Sequence, residues 1–134
     1  MDNYINTNQQ NDQKAVRRGE MLLESWIKDK TLINADSLAF AWKIKTQEVE
    51  NMQENGSLFA LHIEGQNYYP QLMTNLPIED AIKINKAFDI SVDPSTKVIF
   101  LMRKHGSLGG KTVVQAANEQ MESIIDIARS WHEG

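Results

Sequence analysis

At 134 residues, the chain supports one domain or two very small ones that share a core. The lack of cysteine excludes disulfides and thiolate metal sites and indicates a cytoplasmic protein, and no apolar run approaches the roughly 20 residues of a membrane-spanning helix. The formal net charge of −4 argues against general nucleic-acid binding, which gains affinity from clustered Lys and Arg.

The first 33 residues predict a tail, a helix and a short extended piece. Residues 1–13 are rich in Asn and Gln and carry little that can be buried, which is typical of a flexible tail. A helix is predicted to begin at Lys14, and Leu32-Ile33 is predicted to be extended and to pair with a later hairpin. The helix has an apolar stripe at helical spacing, formed by Leu22, Leu23, Trp26 and Ile27.

Residues 34–70 predict two short helices followed by a β-hairpin, which is the order of a winged helix-turn-helix. Asn34 is expected to cap the first helix, residues 43–45 to form the turn, and Thr46 to cap the second helix. Gly56 is expected to end that second helix. A β-type run from Leu58 breaks at residues 64–67 and resumes before Pro70, which predicts the wing. We assign residues 14–73 to this winged unit.

Residues 77–134 predict a helical bundle. One helix is expected to open at Pro77, and a second, apolar on nearly every side and therefore central, to start at Asp93. After a glycine-rich loop, Thr112 is expected to cap a last helix that begins at Val113 and breaks near Asn118. The predicted fold class is mainly α (α+β), a winged helix-turn-helix-like unit with a small β-hairpin followed by a C-terminal helical bundle.

The motifs argue against an enzyme and against a bound cofactor. The glycine-rich loop has three residues between Gly106 and Gly110, whereas a phosphate-binding loop needs four before its Gly-Lys-Thr, and the segment before it reads as helical. The histidines lie far apart along the chain and no cysteine is present, so we expect no metal site. Nothing marks a catalytic nucleophile or a carboxylate pair.

A DNA-binding function would use the second helix of the winged unit as the reader of the major groove. Its exposed side chains include three Glu and no basic residue, and glutamates are repelled by phosphates. One candidate function is a small winged helix DNA-binding transcriptional regulator that acts without a partner protein. Another is a structural adaptor that only dimerises. The candidate DNA-binding residues are Lys43, Lys45, Gln47 and Asn51.

The last 50 residues carry a family resemblance. Val98-Ile99-Phe100-Leu101 is followed by Leu108-Gly109-Gly110-Lys111-Thr112, then by Gln115-Ala116 and an Ala/Ile-rich helix. This order resembles the toxin-binding domain of the Xre/MbcA/ParS-type bacterial antitoxins, in which a leucine, two small residues, a basic residue and a threonine open a helix. The sequence departs from the pattern at Val113, where a proline is usual, and at Asn118, where a glycine is common.

The resemblance implies an antitoxin that binds a cognate protein toxin, one that consumes NAD or transfers ADP-ribose, and covers its active site. It also implies repression of its own operon through operator DNA, and we expect a homodimer. Trp131 lies so near the terminus that it either closes a core, which we favour, or sits in an interface. The candidate toxin-binding residues are Leu108, Gly109, Gly110, Lys111, Thr112, Arg129 and Trp131.

Overall fold

The computed structural model describes residues 21–131, which belong to two compact units, Met1–Leu32 and Ile33–Gly134. The predicted tail and the predicted helix start at Lys14 lie outside the described residues. In the first unit, residues 21–28 form helix α1, on which Trp26 is buried while Leu22 is exposed. The helix is followed by a turn in which the backbone N–H and the hydroxyl of Thr31 both donate to one carboxylate oxygen of Asp29, at 2.9 and 2.6 Å.

The predicted pair of helices is present. Helix α2 (Ala35–Trp42) is capped by Asn34, whose side-chain oxygen accepts from the backbone N–H of Ser37 at 2.9 Å. Helix α3 (Thr46–Glu54) follows after three residues. The prediction that Thr46 caps α3 is wrong, because Lys45 holds the cap position and makes no side-chain cap bond. The Thr46 hydroxyl instead donates to Asp36 Oδ1 at 2.7 Å and so links the two helices.

The predicted wing is a hairpin of strands β2 (Leu61–Ile63) and β3 (Gln66–Pro70), paired antiparallel with Leu61 opposite Tyr68. Its turn residues, Glu64 and Gly65, both have positive φ, at 51° and 77°, which suits the right-handed twist of a tight hairpin. Strand β1 (Leu32–Asn34) completes a small antiparallel sheet of order β1-β3-β2. The predicted pairing of residues 32–33 with the wing is thereby confirmed.

Five further helical elements follow in the described part of the second unit. A 3-10 helix (Gln71–Asn75) leads to α4 (Ile78–Ala87), and Pro77 is the residue before its first turn. Helix α5 (Pro94–Met102) is capped by Asp93, which accepts from the Thr96 N–H at 2.8 Å. A single 3-10 turn (Gly106–Leu108) then precedes α6 (Val113–Arg129). The α+β fold class is confirmed.

The winged part and the helical part of the second unit share a core. Trp42 of α2 donates from its indole N–H to the carbonyls of Met73 and Leu76, at 3.2 and 3.0 Å, and so fixes the connector between the two parts. The division predicted between residues 73 and 77 thus falls inside one compact unit. Among the described residues, none of the helices combines the length and the apolar character that a bilayer span requires. Side chains buried completely in both parts include Leu38, Val49, Tyr69, Val98, Phe100, Leu108 and Ile124.

Candidate protein-binding site

The glycine-rich loop between α5 and α6 is closed by backbone hydrogen bonds around His105. The His105 N–H donates to the Lys111 carbonyl at 2.9 Å, and the His105 carbonyl accepts from the N–H groups of Leu108 and Gly110. Gly109 and Gly110 have φ of 69° and 80°, in the left-handed region where a side chain is strained. The loop therefore needs both glycines, and it holds the exposed Lys111 in a defined position.

His105 is buried and joins this loop to the end of the chain. Its Nε2 lies 2.9 Å from the Phe100 carbonyl, so this nitrogen carries the proton and donates. The imidazole packs against the rings of Phe100 and Trp131, with centroids 4.7 and 5.3 Å away. Phe100 also meets Phe88 edge-on at 4.9 Å. We call Phe88, Phe100, His105 and Trp131 the aromatic cluster. The predicted role of Trp131 in closing a core is consistent with these contacts.

The sequence predicts a break in the last helix near Asn118. Helix α6 is bent at Gln120, two residues later. Gln120 has φ −130° and ψ 32°, outside the helical region. A straight helix of 17 residues would be about 25 Å long. However, Lys111, just before α6, bonds to the His105 backbone, and Trp131, just after α6, packs on the His105 ring. The bend therefore returns the end of α6 towards its beginning.

The bend places Trp131 against His105, although the two residues are distant in sequence. We define the C-terminal face as Gly109, Gly110, Lys111, Arg129 and Trp131. The first four are exposed and Trp131 is half-buried. The indole N–H of Trp131 is buried without a hydrogen-bond partner in the described part of the chain, so ring contacts rather than a hydrogen bond from the indole hold the side chain.

Two of the candidate toxin-binding residues, Leu108 and Thr112, have structural roles next to this face. Leu108 is completely buried, so a direct contact between it and a partner is ruled out in this fold. Thr112 forms the predicted helix cap: its hydroxyl accepts from the Gln115 N–H at 3.4 Å, and the Gln115 side chain accepts from the Thr112 N–H at 2.9 Å. This reciprocal arrangement is a capping box. Leu108 therefore supports the face from the inside, whereas Thr112 is half-exposed and fixes the start of α6 beside it.

The segment of residues 103–112, which includes part of the C-terminal face, is basic although the whole chain is acidic. Residues 103–112 contain Arg103, Lys104 and Lys111 and no Asp or Glu, whereas the whole chain carries −4. The Arg103 guanidinium lies 5.8 Å from the centre of the Trp131 indole, within range of a cation–π interaction. Arg129 approaches Asp126 at 3.8 Å, and an ion pair so exposed contributes little stability. The arrangement suits an acidic binding partner.

The candidate DNA-binding residues lie on the turn and on α3. Lys43 and Lys45 are exposed at the turn. Gln47 and Asn51 are also exposed. The Gln47 side-chain amide donates to Asn51 Oδ1 at 3.0 Å, so the two side chains are hydrogen-bonded to each other. The exposed residues of α3 also include Glu48, Glu50 and Glu54. This surface carries more acidic than basic side chains.

Sequence reasoning missed a polar contact that joins the two parts of the second unit. Asn85 of α4 is buried, donates from its side-chain amide to the carbonyls of Gly56 and Ser57, and accepts from Lys97. The signal was present, since position 85 lies four residues after Ala81 and three before Phe88, on the inward stripe of α4. A polar residue on such a stripe indicates a buried hydrogen-bond network.

Comparison of the chain with protein-family models, curated proteins and solved structures finds no match. The resemblance to the Xre/MbcA/ParS-type antitoxins therefore stays a prediction. Within residues 21–131, no three side chains of His, Asp or Glu are placed to hold a metal ion. Of the surfaces described above, the C-terminal face gives the stronger basis for a functional proposal.

Proposed function

We propose that this protein is antitoxin-like and that its C-terminal face binds and occludes a cognate toxin. The observation that carries the proposal is the bend in α6, after which Trp131 packs on His105, the residue whose backbone bonds to Lys111. Lys111, Arg129 and Trp131 are the predicted anchors for the toxin, and they come from two separate stretches of the sequence. The function is occlusion of another protein's active site, without chemistry in this chain.

The face has the properties of a preorganised binding surface. The loop is closed by hydrogen bonds to His105, and the Trp131 ring is held between Phe100, His105 and the Arg103 guanidinium. A rigid surface loses little conformational entropy on binding, so more of the contact energy becomes affinity. Trp and Arg are also the residues that most often dominate binding energy at interfaces.

Charge supports a protein partner with an acidic surface. The basic segment of residues 103–112 attracts acidic groups, while the acidic remainder of the chain repels them, so a partner is oriented towards one side. A toxin that consumes NAD or transfers ADP-ribose fits the proposal through the resemblance alone. Its active site would be closed to substrate by the C-terminal face.

A second function is repression of the protein's own operon by the winged unit. The observation that favours it is the order of α2, a three-residue turn, α3 and the β2–β3 hairpin, with Lys43 and Lys45 exposed at the turn. The glutamates of α3 oppose it, because each one near the DNA backbone is repelled by phosphate. We therefore rank DNA binding below protein binding.

Two charge-reversed variants test these functions against each other. Any toxin-sized product encoded next to this gene is co-expressed with the protein, and a Kd is measured for that product and for the promoter DNA. We expect Lys111→Glu with Arg129→Glu to weaken toxin binding at least tenfold and to leave DNA binding unchanged. Lys43→Glu with Lys45→Glu is the matched control and should act only on DNA binding. Toxin binding that survives the first pair unchanged contradicts the proposed role of the C-terminal face.

A further inference from the structure

Phe40 is a large apolar side chain on the side of α2 that faces away from the core. It is 87% exposed, whereas Leu38 and Ala39 of the same helix are buried. Folded proteins often expose single apolar side chains, so exposure alone does not identify a binding surface. The side chains around Phe40 decide whether it belongs to one.

Phe40 lies in the middle of a continuous exposed side of α2. Asp36 comes four residues before it and Lys43 three residues after it, while Ser37 comes four residues before Ala41. All of these residues are exposed. Positions three or four apart are neighbours on the surface of a helix, so the residues share one side of α2. We call Asp36, Ser37, Phe40, Ala41 and Lys43 the α2 face.

The α2 face carries opposite charges at its two ends. Asp36 lies in the first turn of the helix and Lys43 is its C-terminal cap. Neither residue has an ion-pair partner among residues 21–131. Asp36 Oδ1 accepts from the Thr46 hydroxyl at 2.7 Å, which leaves Oδ2 for a second partner. A face with an acidic end, an apolar middle and a basic end is complementary to itself when two copies meet in opposite directions.

We propose that the α2 face binds the α2 face of a second copy of this chain, with the two helices antiparallel about a twofold axis near Phe40. A twofold interface brings the same patch of both copies together, so each contact occurs twice. Asp36 then lies opposite Lys43 of the partner subunit. The Phe40 ring packs against Phe40 of the partner subunit, beside the small side chains Ser37 and Ala41.

Charge sets the direction of the pairing, and helix length sets its strength. Parallel helices would place like charges side by side at both ends of the α2 face, which repels, and antiparallel helices also align opposite dipole ends. With eight residues, α2 is about 12 Å long. Such a face lies at the small end of specific interfaces, so the dimer is expected to be weak and to depend on concentration.

The test measures self-association of the full chain by sedimentation equilibrium over about 10 μM to 1 mM, where weak complexes dissociate. We expect the wild type to dimerise reversibly and Phe40→Ser to raise the dissociation constant of the dimer at least about tenfold. Because Phe40 is exposed, this variant is expected to fold. Ile90→Ser removes another fully exposed apolar side chain, between α4 and α5, and should leave the dimer unchanged.

Two charge reversals test the antiparallel arrangement. Asp36→Lys and Lys43→Glu should each weaken self-association, because like charges then face each other at both ends of the α2 face. An equimolar mixture of the two variants should associate nearly as tightly as the wild type, because each copy then meets the opposite charge in its partner. Recovery in the mixture also excludes misfolding as the cause of the loss. Glu48→Lys, at an exposed position of α3, controls for the change in net charge.

Three results would each overturn the proposal: a wild type that stays monomeric throughout, a dimer that Phe40→Ser leaves unchanged, or a mixture that associates no better than its two components. The α2 face shares no residue with the C-terminal face, so none of these results bears on toxin binding. The toxin and DNA titrations use concentrations at which a weak dimer is dissociated, so the three interactions are measured independently.

Discussion

The half-buried Lys97 donates a 3.0 Å hydrogen bond from its ammonium to the side-chain oxygen of the buried Asn85. The same ammonium lies 5.3 Å from the centre of the Phe59 ring and 5.5 Å from that of Phe88. Asn85 in turn donates to the backbone after α3. Lys97 and Asn85 thus connect α5, α4 and the chain that leads into the wing.

Replacing Asn85 should destabilise the protein more than replacing an exposed asparagine. Asn85→Leu leaves the carbonyls of Gly56 and Ser57 and the Lys97 ammonium without this partner, so we expect the free energy of unfolding to fall by about 1–3 kcal/mol. The measurement is urea unfolding followed by tryptophan fluorescence. Asn118→Leu, an exposed position on α6, is the control and should change stability by less than about 0.5 kcal/mol. Equal effects of the two changes would contradict the role of Asn85.

Lys97 should make the stability rise with pH in the alkaline range. Burial lowers the pKa of Lys97, and Asp93 opposes the shift only partly. Between this lowered pKa and the usual lysine value of about 10.4, the unfolded chain binds more protons than the folded chain. Stability attributable to this group therefore increases as pH rises through that interval.

Unfolding of the wild type and of Lys97→Met, measured at several pH values from 7 to 10.5, isolates this contribution. The difference in unfolding free energy should change with pH, because only the wild type gains stability as Lys97 loses its proton. Lys86→Met, at an exposed site on α4, controls for the general loss of one lysine. A wild-type curve that runs parallel to that of Lys97→Met would exclude the effect.

The capping box should contribute measurably to the start of α6. Thr112→Ala removes the acceptor for the Gln115 N–H, and we expect it to lower the free energy of unfolding by about 0.5–2 kcal/mol. Thr112→Ser keeps the hydroxyl and should lose much less. Guanidinium chloride unfolding of the three proteins measures both differences. If Thr112→Ala and Thr112→Ser lower the free energy of unfolding equally, the hydroxyl is not the stabilising group.

Lys43 ends α2 in a conformation that suits glycine. It has φ 59° and ψ 42°, where a side chain costs about 1–2 kcal/mol. Lys43→Gly removes this strain but makes the unfolded chain more flexible, so we expect a net gain of up to about 1 kcal/mol. Lys45→Gly is the matched control, since Lys45 has an ordinary φ of −80° and gains nothing from glycine. Thermal unfolding should show Lys43→Gly above wild type and Lys45→Gly at or below it.

The sequence by itself determined the helix starts at Asn34, Asp93 and Thr112, because a cap bonds to backbone two or three residues away. It also determined the wing, since the turn at residues 64–65 and the flanking apolar residues are neighbours along the chain. The prediction that Thr46 caps α3 was wrong because it considered only neighbours along the chain. The Thr46 hydroxyl donates to Asp36, ten residues away, and capping rules do not include such distant acceptors.

Only the tertiary structure decided which surfaces exist. The bend at Gln120 brings Trp131 onto His105, and packing buries Leu108, which was expected to lie exposed in the glycine-rich loop. Each of these contacts joins residues that are more than 15 positions apart or depends on packing around a loop. Local propensity and spacing specify which elements form, whereas side-chain neighbours depend on how the elements pack into one core.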